Sequence, residues 1–135
     1  MSQGQSYRIR ASSFGELFDC ALRWEAKHLL GMRLPNTPRA LIGTGVHAAT
    51  AVFDLAKVGG GTPITLDAAA SVAVDAINAR IADEGVRWTT DEPSRKDVEA
   101  IALRVTTAYC TTVSPRYEFE AVELETKPLE IDCGG

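Results

Sequence analysis

Between Leu41 and Leu55 the apolar residues leave almost no side of a helix uncovered. Leu41, Ile42, Val46, Ala48, Ala49, Val52, Phe53 and Leu55 spread round most of the helical circumference, and a helix apolar on most sides must be buried on most sides. The rest of the chain therefore has to pack around this segment. Thr37-Pro38 marks its start, a cap residue before a proline of the kind tolerated at the first helical position, and the helix is expected to run to about Gly59. Only a narrow polar strip interrupts the apolar surface, through Thr44, His47, Thr50, Asp54 and Lys57, so His47 shares a face with polar side chains. Gly43 and Gly45 each cost about 1 kcal/mol relative to alanine in a helix interior, which suits a place where something approaches the backbone closely.

Helical spacing governs most of what surrounds this segment. Tyr7 to Ala11 alternates as a short strand would, and Ser13-Phe14-Gly15-Glu16 then reads as a capping box opening a first helix. Phe14, Phe18, Leu22 and Leu29 form its apolar stripe, with Gly31 and Pro35 as the stop. After Gly59-Gly60-Gly61 and Pro63, the spacing of Leu66, Ala70, Val74, Ile77 and Ile81 predicts a third helix ending near Gly85. Ser94-Arg95-Lys96-Asp97 is a second capping box, and Val98, Ile101, Ala102, Val105 and Tyr109 give the fourth helix its face before Pro115 ends it.

The period changes near the C-terminus. Tyr117, Phe119 and Ala121 alternate with Glu118 and Glu120, and Leu129 and Ile131 with Glu130 and Asp132, which predicts a hairpin or strand pair bent at Pro128. The expected fold class is α+β, four helices followed by two strands, in a single domain over residues 1–135. Two strands are marginal unless covered, so an open sheet edge would invite a second copy or a missing C-terminal partner.

Charge bears on partners. The chain carries −4 overall, against bulk electrostatic coating of nucleic acid, yet residues 1–39 carry +3 and the remainder −7. A phosphate-facing surface, if present, belongs with Arg23 and Lys27 of the first helix; the other reading of these charges is a solvated face. No signal segment or membrane span is read, so a cytoplasmic protein with no membrane partner is expected. Cys20, Cys110 and Cys133 are far apart, lack a C-x-x-C pair and read as free thiols.

Four features together resemble the RecB-like exonuclease branch of the PD-(D/E)XK nuclease superfamily, which includes phage and CRISPR-associated exonucleases. Ser12-Ser13 opens a helix bearing Cys20 and Trp24, similar to a serine start followed by C-x-x-x-[WY]. Gly43-Thr44-Gly45-Val46-His47 resembles a G-T-x-x-H helix segment. Ala121-Val122-Glu123 looks like the strand glutamate that precedes the catalytic aspartate. Their order along the chain is also the family's.

The resemblance implies the N-terminal portion of a restriction-endonuclease-like fold and a DNA nuclease hydrolysing phosphodiesters with Mg2+ or Mn2+. It places His47 and Glu123 at the metal and in catalysis, and the DNA it implies would meet Arg23 and Lys27 of the basic first helix read above from charge. Hard cations take oxygen ligands and lower the cost of forming hydroxide, which is why such sites gather carboxylates. The family's G-x-[IL]-D and following E-x-K have no matching copy here: Glu125-Thr126-Lys127 reads E-x-K, but Asp132 comes after it. The chain alone is thus expected to be incomplete and inactive. Cys20 occupies the first position of the cluster-binding members, but the later cysteine trio is lacking, so no iron–sulfur cluster is expected. His47 also reads as a polar-face histidine, and Glu123 as one of a solvated glutamate-rich run. A non-catalytic DNA-binding or assembly protein derived from a truncated nuclease is the alternative, and an unrelated helical structural protein a third.

Overall fold

A computed structural model describes residues 9–124 and 127 of the chain. Contacts divide it into two units, one of them Pro35–Leu124 and the other containing the residues up to Leu34.

The larger unit is built on three helices. Helix α3, Pro38–Leu55, begins as its sequence dictates: Thr37 Oγ1 accepts from Ala40 N–H, and Pro38 takes the first turn, where its missing N–H costs nothing. Helix α4, Leu66–Glu84, starts on Thr65, which accepts from Ala68 N–H, and ends at Gly85 with φ +67°. Helix α5, Arg95–Ala108, carries the complete capping box of Ser94 and Asp97. Leu41, Ile77, Val98 and Ala102 form one buried cluster and Phe53, Ala69 and Cys110 a second, so α3 packs against both other helices.

Gly45 explains how closely α3 and α4 approach. A Cβ built on it would lie 2.8 Å from Ile77 Cδ1 and 3.0 Å from the Ala73 carbonyl oxygen. No such neighbour surrounds Gly43. On α4 the buried residues are Ala69, Ala73 and Ile77, not the stripe through Leu66, Ala70 and Val74, because small side chains let this face seat against α3. A parallel bridge joins Asn36 and Val86, with Asn36 N–H donating to the Gly85 carbonyl at 3.2 Å and Arg87 N–H to the Asn36 carbonyl at 3.0 Å.

In the smaller unit the expected first helix is two. Helix α1, Phe14–Asp19, and helix α2, Ala21–His28, are separated by Cys20, whose backbone is extended at φ −159° and ψ 93°. The break lets α1 fold back so that Glu16 meets Lys27 and His28, which an unbroken helix would hold roughly 16 Å away at about 1.5 Å per residue. The expected capping box is absent: Ser13 makes no side-chain cap and donates its hydroxyl to the Arg10 carbonyl instead. Phe18 and Leu22 are exposed.

The expected α+β architecture is overturned. Among the described residues there is no sheet, hence neither a C-terminal hairpin nor the restriction-endonuclease-like fold, and no open sheet edge for a partner. After α5 a π-helical turn, Tyr109–Val113, and a 3-10 turn, Ser114–Arg116, lead through an extended Tyr117 into an irregular, unpaired run. Alternation specifies a strand only where a neighbour supplies a ladder, and among the described residues none lies beside this run. The run bends at Glu120, Val122 and Glu123, the last at φ +53°. Ile9 and Arg10 form no strand, while Tyr7 and Arg8 and the expected second strand, Leu129–Asp132, lie outside the described residues.

Candidate functional site

Of the α3 polar strip, Thr44 donates to the Ala40 carbonyl at 3.1 Å and Thr50 to the Val46 carbonyl at 2.9 Å, turning both hydroxyls back onto the helix. His47 stays in solvent, its side chain 69% exposed. Its Nε2 lies 3.3 Å from Glu123 Oε1, so the two sequence-designated residues meet although they are far apart in the chain. They meet on a helix and a bend, however, not on a helix and a strand. An exposed pair of this kind stabilises a fold by less than about 1 kcal/mol, while a non-glycine residue in the left-handed region costs about the same or more. Fold stability therefore gives no net reason for the arrangement.

The strip's C-terminal end turns inward. Asp54 is buried, with Oδ2 accepting from Tyr109 Oη at 2.5 Å and Oδ1 from Ser114 Oγ at 2.5 Å. Lys57 Nζ donates to Ser114 Oγ at 2.8 Å and to the Ser114 carbonyl at 2.6 Å, and approaches the Tyr117 carbonyl at 3.5 Å. The ammonium also sits 4.8 Å from the centroid of the Phe119 ring. Lysine, serine, aspartate and tyrosine thus form one continuous polar chain. Burial, reinforced by the hydrogen bond to Asp54, pushes the Tyr109 hydroxyl up to about 12, and burial likewise raises the Cys110 thiol. Sequence reading placed Asp54 and Lys57 on a polar face but missed their partners; their spacing of three on a helix whose other faces are apolar was the available signal.

Arg23 and Lys27, designated for DNA, project from α2 toward a carboxylate of their own unit. Lys27 Nζ donates to Glu16 Oε2 at 2.8 Å, Arg23 Nε lies 3.6 Å from Glu16 Oε1 and His28 Nε2 lies 3.4 Å from Oε2. The Lys27 hydrogen bond, with His28 and Arg23, holds the Glu16 carboxyl below the usual range. Both cations remain substantially exposed.

No group of three His, Cys, Asp or Glu side chains suited to a metal comes together among the described residues. Cys20 is exposed and Cys110 buried, while Cys133, Glu125, Thr126 and Asp132 lie outside the described residues. One imidazole nitrogen and one carboxylate oxygen at His47 and Glu123 fit Mn2+ better than Mg2+, which prefers an all-oxygen octahedron. No helix among those described is long and apolar enough to cross a membrane. Compared with protein-family models, curated proteins and solved structures, the chain has no significant match in any of the three.

Proposed function

We propose that this chain is the helical part of a divalent-cation-dependent DNA nuclease, to which it contributes His47 and Glu123. The observation that carries this reading is their 3.3 Å approach, made through a left-handed residue and open to solvent on both sides. His47 offers an imidazole nitrogen and Glu123 a carboxylate oxygen, while Arg23 and Lys27 offer exposed cations to phosphates. A bound Mn2+ would supply Lewis acidity and an acidified water. Two donors are fewer than hydrolysis requires, so the chain alone binds cation without cutting DNA, and the remaining oxygen ligands come from beyond the described residues or from another chain.

Mn2+ titration followed by NMR tests this. Selective broadening of His47 and Glu123 resonances, lost in His47→Ala and in Glu123→Gln, is the expected result. Broadening elsewhere only, or none, would overturn the reading.

One observation favours the second reading, a non-catalytic assembly protein: Phe18 and Leu22 are 80% and 75% exposed on the short helices that also carry Arg23 and Lys27. Sedimentation of wild type beside a Phe18→Ser, Leu22→Ser variant separates the two, since only an assembly surface makes the wild type heavier.

A further inference from the structure

Glu123 reaches His47 on a segment that has little else to hold it. Tyr117 and Leu124 are 59% and 78% exposed, so little apolar burial anchors the run, and no neighbouring strand pairs with it among the described residues. The firm attachment is at its start. Lys57 takes hold of the Ser114 carbonyl and hydroxyl, approaches the Tyr117 carbonyl and covers the Phe119 ring, whereas Asp54 reaches only Tyr109 and Ser114.

The distances make this attachment decisive for the far end. Lys57 follows the end of α3, about 15 Å beyond His47 if the helical rise of about 1.5 Å per residue is continued to it. Even fully extended, Phe119 to Glu123 would span at most about 13 Å at about 3.3 Å per residue, and the run bends at Glu120, Val122 and Glu123. A segment pinned near Lys57 is thus too short to let Glu123 range freely along α3, and the left-handed turn at Glu123 brings its carboxylate to the imidazole.

We propose that Lys57 is a positioning residue for the His47–Glu123 pair: by fixing Ser114, Tyr117 and Phe119 against α3, it sets where Glu123 lands. The role in cation binding rests on the nuclease reading, but the positioning itself does not. Lys57 touches neither His47 nor Glu123, and its effect passes through the backbone it holds.

The test uses the full chain and two measurements. The first is the nuclear Overhauser contact between the His47 imidazole and the Glu123 side chain; the second is the Mn2+ concentration that half-broadens His47. Lys57→Met is expected to abolish the contact and raise that concentration roughly 10-fold, as loss of supporting residues around metal ligands commonly does. It should then match Glu123→Gln, with no further loss in the double variant, and Lys57→Arg should restore both signals. A contact that persists in folded Lys57→Met, or a Lys57→Arg variant no better than Lys57→Met, would sink the proposal. Should Lys57→Met not fold, Phe119→Ala carries the test, because it removes the ring under the ammonium and leaves Asp54, Tyr109 and Ser114 in place; an undiminished contact there counts against Lys57. If Mn2+ leaves wild-type His47 unbroadened, the cation reading fails, and the Overhauser contact decides on Lys57 by itself.

Discussion

Ser114 Oγ donates to Asp54 Oδ1 at 2.5 Å while accepting from Lys57 Nζ at 2.8 Å, so one hydroxyl joins a carboxylate in the last turn of α3 to an ammonium three residues on, just past the helix end. Removing Asp54 breaks that chain at its most buried member. Asp54→Ala leaves the Tyr109 and Ser114 hydroxyls without their acceptor and the Lys57 charge without its counterpart. It is expected to cost about 3 kcal/mol, read as a lower urea midpoint at unchanged slope.

The two α3 glycines should respond in opposite directions. Gly43→Ala gains helix propensity at a position with open space and is expected to stabilise by up to about 1 kcal/mol. Gly45→Ala gains the same propensity but drives a methyl into Ile77 and the Ala73 carbonyl, an overpacking that outweighs it by about 1 kcal/mol. Thermal melts of the two variants side by side check this; equal shifts would refute the close α3–α4 approach.

Tyr109 supplies an alkaline signature. Its folded hydroxyl is raised to about 12 by burial and by Asp54, whereas an unfolded tyrosine titrates near 10, so its contribution to stability is whole below about pH 10 and is lost as pH rises toward 12. Absorbance titration at the phenolate band should show a late component that Tyr109→Phe removes.

Asp97 supplies the acid counterpart. The Ser94 hydroxyl and backbone N–H, the larger causes, hold its carboxyl below the usual aspartate value near 3.8. The contribution is therefore present above about pH 4 and fades as pH falls through the lowered value. Asp97→Asn should flatten this limb of the stability curve, and an unchanged acid limb would count against the capping box.

How much of this could be read beforehand depended on whether the signal was local. Thr37-Pro38, Gly85 and Ser94 with Asp97 act within one helical turn, and the start of α3, the end of α4 and the start of α5 followed from them. By contrast, α3 stops at Leu55 and not near Gly59, and α5 gives way at Ala108 to π and 3-10 turns before Pro115. Cys20 offers no glycine or proline to announce a break, so the division of α1 from α2 was hidden. The C-terminal alternation was local too, but a strand is completed by its neighbour, and none lies beside this run among the described residues. His47 and Glu123 were designated from a resemblance whose implied fold the structure contradicts; their proximity is a fact of the helical unit and stands on its own geometry.

The span between Asp54 and Ser114 also has a consequence for the order of synthesis. Sixty residues separate the carboxylate from the hydroxyl that satisfies it, and at roughly 5–20 residues per second the nascent chain waits about 3–12 s for that partner. During that interval α3 can form but cannot close its C-terminal end. Its buried-to-be aspartate stays in water, and burial of this end becomes favourable only after Tyr109 and Ser114 have been made.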